Sequence, residues 1–130
     1  MQPEVRQIRA VVIDDSPVFL RSLCSFLSEH EAVQVVGSGG SAQEAFRLVE
    51  KEPPDLVLID LQMPGMNGLE ATALLRHRYP EMRVIMVTMY DTPELRQASQ
   101  DSGALGFVSK GRLRQDLPAL LDEVLNVPEM

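Results

Sequence analysis

The sequence predicts an α/β fold, a doubly wound five-stranded parallel sheet with five helices, and three observations carry that prediction. Short apolar runs recur at Ala10–Ile13, Val33–Val36, Leu56–Ile59, Val84–Val87 and Leu105–Val108. Most are apolar throughout rather than alternating, the pattern of strands buried on both faces. Longer segments with helical spacing lie between them, and the regular alternation of the two kinds implies parallel strands joined by right-handed crossovers. The second and fifth runs are the weakest, as edge strands often are.

Each helix has its own signals. Ser16–His30 places Phe19, Leu20, Leu23 and Leu27 on one face, with Ser16 as N-cap and Pro17 at the first helical position. Ser41–Glu50 places Ala42, Ala45, Phe46 and Val49 at i, i+3, i+4 and i+7, and Ser41 with Glu44 resembles a capping box. Pro53 and Pro54 then stop the chain before the third strand. Asn67–Tyr79 forms the third helix, with Leu69, Ala73 and Leu74 expected to face inward. Thr92–Asp101 forms the fourth, capped by Thr92 with Pro93 after it; its apolar stripe (Leu95, Ala98) is thin, so it is expected to be the least stable. Leu113–Leu125 carries Leu113, Leu117, Leu120, Leu121 and Val124 in register, but Pro118 interrupts it, so the fifth helix is expected to begin only near Leu117.

Composition narrows the function classes. The 130 residues suit one domain spanning 1–130, with a core over about 8–125 and no output domain beside it. Hydrophobic residues make up 45% and aromatics only 5%, so the core must be aliphatic. The net charge of −7 makes the domain a poor direct binder of nucleic acid. No apolar run approaches the roughly 18 residues that span a bilayer, and Met1–Arg9 lacks a signal-peptide core. The default setting is therefore cytoplasmic, away from membranes. Cys24, the single cysteine, falls in the first helical run and reads as a small apolar residue.

Three acidic residues sit at strand ends: Asp14 and Asp15 after the first run and Asp60 after the third. Singly, each would serve as a helix cap or turn residue. Together, on neighbouring strands of a doubly wound sheet, they converge, and crowded like charges raise one another's pKa and repel. Mg²⁺ answers that cost, since it prefers oxygen ligands and keeps waters that a phosphate can replace. Thr88 ends the fourth run and Lys110 follows the fifth, on the same edge. A hydroxyl and an ammonium placed there bind phosphoryl oxygens by hydrogen bond and charge.

These residues stand in segments that resemble response-regulator receiver domains from Ile8 to about Leu125. The segments are Val12-Ile13-Asp14-Asp15, Leu58-Ile59-Asp60 through Met63-Pro64-Gly65-Met66-Asn67-Gly68, Val87-Thr88, and Gly103-Ala104-Leu105-Gly106-Phe107-Val108-Ser109-Lys110. The resemblance implies a CheY-like strand order of 2-1-3-4-5 and a switch of a two-component system that assists its own phosphotransfer and dephosphorylation. It implies Asp60 as phosphoryl acceptor, and Mg²⁺ held by Asp15, Asp60 and the backbone carbonyl of Gln62, with Asp14 acting through a metal-bound water. Thr88 would follow the phosphoryl group, Lys110 would pair with it, and Phe107 would be the aromatic switch residue that turns inward. Gln62 and Tyr90, two residues after Asp60 and Thr88, would tune water access. The implied partner is a sensor histidine kinase or phosphotransfer protein, and the implied output surface comprises the fourth helix, fifth strand and fifth helix, with a phosphorylation-dependent homodimer as one form.

One position departs from the common pattern. Gly111 follows the lysine where many receivers have proline, so a cis-proline bond is not expected there. The segment around it resembles receivers of NarL/LuxR-type transcriptional regulators, which implies a C-terminal DNA-binding output domain beyond this chain. Two other readings compete. A Mg²⁺-dependent phosphohydrolase needs a general acid beside its nucleophile, and His30 and His77 both fall toward helix ends instead. A receiver fold used only as an unphosphorylated interaction module would not need all of Asp14, Asp15, Asp60, Thr88 and Lys110.

Overall fold

The computed structural model describes residues 7–126. The stretch 1–6, part of the Met1–Arg9 segment read above as lacking a signal-peptide core, and the stretch 127–130 lie outside the described residues. Five strands alternate with five helices: β1 (Ile8–Ile13), α1 (Pro17–Ser28), β2 (Val33–Gly39), α2 (Ala42–Lys51), β3 (Leu56–Asp60), α3 (Gly68–Arg78), β4 (Arg83–Thr88), α4 (Pro93–Asp101), β5 (Gly106–Ser109) and α5 (Leu113–Leu125). The strands form one parallel sheet in the order β2-β1-β3-β4-β5. The two weak runs are the edges, as expected, and every strand of the sequence reading is present within a few residues of its predicted bounds.

Alternate residues of the central strands feed two separate cores. Val12, Leu58, Ile85 and Val87 pack with Leu23 and Leu27 of α1 and with Leu117, Leu121 and Val124 of α5. Val11, Ile13, Val57, Ile59, Val84 and Met86 pack with Ala42, Ala45 and Val49 of α2 and with Ala71 and Leu75 of α3. The two-residue period of a strand thus splits each apolar run between layers, which is why the runs show no polar alternation.

The N-cap residues read from the sequence cap their helices, but Ser41 and Glu44 do not close the expected box, since Glu44 Oε2 accepts from the Gly40 N–H at 3.0 Å instead. Ser16 Oγ accepts from the Phe19 N–H, Ser41 Oγ from Glu44 and Thr92 Oγ1 from Leu95. Asn67 and Glu70 complete a reciprocal capping box on α3. Cys24 is half-buried beside the α1 core.

Two further expectations are corrected. In α3 the buried face is Ala71, Thr72 and Leu75, whereas Ala73 and Leu74 are exposed and Leu69 is half-buried. Apolar residues fall on all sides of this helix, so its sequence contains no single stripe, and packing against β3 and β4 selects the face. Helix α5 begins at Leu113, directly after a 3-10 turn at Lys110–Arg112, and continues through Pro118. Pro118 removes the bond to the Arg114 carbonyl and crowds it, while Leu117 and Leu121 on either side are fully buried and hold the helix on the sheet.

Candidate functional site

The parallel sheet carries the chemistry-bearing residues to one edge. Asp14 follows β1, Asp60 and Thr88 are the last residues of β3 and β4, and Lys110 follows β5. The registers Ile13↔Ile59, Asp60↔Val87 and Thr88↔Ser109 keep these strand ends level.

Asp14, Asp15 and Asp60 each offer a carboxylate oxygen, and the three oxygens lie within 4.8 Å of one another. Asp14 and Asp60 are buried, at 2% and 5% exposure, and Asp15 is exposed. The Lys110 ammonium reaches into this group, 2.8 Å from Asp14 Oδ2 and 3.4 Å from Asp60 Oδ2, with its side chain only 8% exposed. Backbone donors fix the carboxylates: the Ser16 N–H donates to Asp14 Oδ1 at 2.8 Å, and the Gln62 N–H to Asp60 Oδ1 at 3.2 Å.

Burial is the main reason that the Asp60 pKa rises from 3.8 to about 6; the neighbouring Asp14 charge raises it further, and Lys110 and the Gln62 N–H oppose both. The anionic form of this site is therefore short of positive charge. An all-oxygen donor set with one exposed face fits a hard cation such as Mg²⁺, which retains part of its water shell.

The chain between Asp60 and α3 must stay close to the site. Gly68 opens α3 with its N–H donating to the Leu61 carbonyl at 2.8 Å. A Cβ on Gly68 would overlap the Asp60 carbonyl oxygen and stand 2.9 Å from Leu61 Cα, so backbone against backbone excludes any side chain. Gly65, at φ +78°, makes the turn before it.

The remaining predicted residues lie at the periphery. Thr88 is fully buried, and its Oγ1 accepts from the Tyr90 N–H at 3.3 Å. The Tyr90 side chain is 53% exposed on the loop before α4. The Gln62 side chain is exposed as well, and its backbone alone touches the site. Phe107 on β5 is half-buried against the α2/α3 core. The Arg96 guanidinium lies 4.8 Å from its ring centroid and is held there by Asp91, at 2.6 and 2.8 Å. The hydrogen bond from Arg96 holds the Asp91 carboxyl below its usual range. Every peptide bond among the described residues is trans, that of Gly111 included.

His77 lies in the last turn of α3, and His30 follows α1 with its carbonyl accepting from the Val33 N–H. Helices run antiparallel to the strands, so both histidines lie toward the far edge of the sheet. Neither histidine stands at the strand-end carboxylates.

Sequence reading assigned Ser16 and Phe19 only to a cap and a core face. In the structure both touch the site: Ser16 through its N–H to Asp14, and Phe19 with the Lys110 ammonium 4.3 Å from its ring centroid. The available signal was their place in the first turn after the Asp14-Asp15 pair, which keeps them at the strand-end edge.

Known proteins share this arrangement. The family profile of the response regulator receiver domain matches residues 10–122. The chain is 33% identical over 123 residues to the transcriptional regulatory protein DegU of Brevibacillus brevis, covering 95% of this chain and 51% of that protein. It is 34% identical over 104 residues to the response regulator GacA of Pseudomonas viridiflava, covering 80% and 49%. The chain thus spans about half the length of these curated relatives. Among solved structures, the signal receiver domain of the response regulator NarL from Mycobacterium tuberculosis superposes with a TM-score of 0.85 at 32% identity, covering 94% of this chain and 99% of that one. The response regulator domain of Thermotoga maritima CheB superposes with 0.82 at 30% identity, covering 95% and 100%. With its fold, its converging carboxylates and these relatives in agreement, the chain belongs to the response regulator receiver domain family.

Proposed function

We propose that this chain is a phosphoacceptor switch in which Asp60 takes a phosphoryl group from a phosphohistidine on a sensor kinase or phosphotransfer protein. The observation that carries this reading is the convergence of Asp14, Asp15 and Asp60 within 4.8 Å, with Lys110 between Asp14 and Asp60. An Asp60 oxygen attacks phosphorus in line, the new O–P bond forms as the P–N bond breaks, and the donor imidazole leaves with the electron pair. The product is an acyl phosphate. Lys110 carries the fixed positive charge that a phosphoryl oxygen meets at this position, and the Thr88 hydroxyl, at the neighbouring strand end, donates its proton to that oxygen.

Asp14, Asp15, Asp60 and the Gln62 carbonyl would hold Mg²⁺. When bound, the ion supplies the positive charge that the transferring phosphoryl oxygens require. Movement of Thr88 lets Phe107 turn further inward, and the change passes to α4 and the adjoining β5 and α5 surface. Helix α4 suits such a role, since Ser99 is its single buried residue and few apolar contacts oppose its displacement. Gln62 and Tyr90 tune water access to the acyl phosphate.

The receiver reading covers the family match over residues 10–122, and the output it controls is proposed to lie outside that segment. The named relatives include transcriptional regulators about twice this length, so the partner is a DNA-binding output domain carried C-terminally, and a phosphorylation-dependent homodimer is part of the reading. No helix among the described residues is long and apolar enough to cross a membrane, and a cytoplasmic setting goes with a kinase donor.

The test is intact mass after incubation with Mg²⁺ and acetyl phosphate, with Asp60→Ala alongside. A single labile phosphoryl gain that requires Mg²⁺ and is absent from the variant is expected. A gain that survives in Asp60→Ala would move the acceptor elsewhere. No gain from either acetyl phosphate or a phosphohistidine donor would leave an unphosphorylated interaction module. Decay of the same mass increase is expected to be faster in Tyr90→Ala, and equal decay would remove Tyr90 from the access role.

A further inference from the structure

The Lys110 ammonium is held by more than carboxylates. Phe19, in the first turn of α1, presents its ring with the centroid 4.3 Å from Lys110 Nζ, inside the range in which an ammonium is attracted to an aromatic face. The contact closes a circuit of four residues. The Ser16 N–H donates to Asp14 Oδ1 at 2.8 Å, Ser16 Oγ accepts from the Phe19 N–H at 3.3 Å, the Phe19 ring meets Lys110, and Lys110 returns to Asp14 Oδ2 at 2.8 Å. The cap that starts α1 therefore fixes both a carboxylate of the site and the ring that covers its lysine.

Lysine is long and flexible, and a hydrated ammonium would otherwise be drawn toward water. Here its side chain is only 8% exposed although Asp15 beside it is open to solvent. A half-buried ring on the same ammonium provides an attraction that neither carboxylate competes for and displaces water from it.

We propose that Phe19 is a positioning residue for phosphotransfer, holding the Lys110 ammonium at the Asp14–Asp60 pair in the geometry that the incoming phosphoryl group requires. This rests on the reading of Asp60 as phosphoacceptor. It adds a residue of α1 that makes no contact with the reacting atoms and acts through Lys110 alone. Its aromatic face is the required property, since an aliphatic side chain of similar bulk fills the space but offers no π charge.

The test compares wild type with Phe19→Leu and Phe19→Tyr on the full chain, in Mg²⁺, with acetyl phosphate as donor. In Phe19→Leu the maximal phosphorylation rate is expected to fall by about 2- to 30-fold, the range a cation–π contact spans, with the half-saturating donor concentration little changed. In Phe19→Tyr the rate is expected to return near that of wild type. A second readout needs no turnover: in NMR spectra the Lys110 Hε protons of wild type and Phe19→Tyr should show a ring-current shift that Phe19→Leu lacks. Equal rates in wild type and Phe19→Leu, equal losses in Leu and Tyr variants, or a Lys110 resonance without a ring-current shift in wild type would each overturn the proposal. Failure of wild type to take up phosphoryl from either acetyl phosphate or a phosphohistidine donor would instead overturn the phosphoacceptor reading, and the positioning role with it.

Discussion

Lys110 stands closer to Asp14 than to Asp60, at 2.8 Å against 3.4 Å. Before phosphorylation its shorter ion pair is thus with a carboxylate that is not the proposed acceptor. Lys110 neutralises a shared cluster and need shift only slightly to meet a phosphoryl group on Asp60. All three side chains are under a tenth exposed, so the pairing is screened little by solvent.

Lys110→Met follows directly. Removing one member of a buried ion pair leaves the remaining charges uncompensated, and here two buried carboxylates lose their cation. A loss of roughly 3–5 kcal/mol at pH 7 without divalent ions is expected from urea denaturation. Mg²⁺ should restore part of it. An unchanged urea midpoint would mean that Lys110 does not compensate the cluster.

Asp60→Asn should act in the opposite direction. The Asp60 carboxyl keeps its proton up to about pH 6 in the folded chain, against 3.8 for the ordinary group. The folded state thus binds that proton more tightly than the unfolded state, and this group's favourable contribution is whole below about 3.8 and lost as pH rises through 6. In metal-free buffer at pH 7 the Asp60→Asn protein is expected to exceed wild type by roughly 1–3 kcal/mol. The gap should narrow as pH falls toward 4. A gap independent of pH between 4 and 8 would contradict the assignment.

Asp15 offers a cleaner test of the cation site. It is exposed, and among the described residues its carboxylate has no protein hydrogen bond or ion pair. Asp15→Asn should not lower the metal-free thermal midpoint and should raise it slightly by removing one of three crowded negative charges. Mg²⁺ should raise the wild-type midpoint through binding to the folded state, chelation should reverse the rise, and Asp15→Asn should lose most of it. An equal Mg²⁺ response in both proteins would place the ion away from this cluster.

The fold was legible because its signals are local. Five apolar runs, the caps at Ser16, Ser41 and Thr92, and the punctuation at Pro53 and Pro54 specify the strand and helix segments without reference to one another. A strand buried on both faces shows a continuous apolar run, and a helix with a segregated stripe shows its inner face. The strand-end positions of Asp14, Asp60, Thr88 and Lys110 follow from the same segmentation, and parallel connections then place them on one edge.

Where the local signal was evenly spread or opposed, tertiary structure decided. Apolar residues surround α3, so the sheet selected Ala71 and Leu75 over Ala73 and Leu74. Pro118 opposed an early start to α5, yet burial of Leu117 and Leu121 kept the helix intact from Leu113. The sequence by itself determined the elements and the set of residues at the strand ends. Only the packed molecule decided that Lys110 favours Asp14, that Phe19 covers Lys110, and that Arg96 lies on Phe107. Such pairings join residues distant in the chain, and their distances depend on how the helices sit on the sheet, which no periodicity within a single segment records.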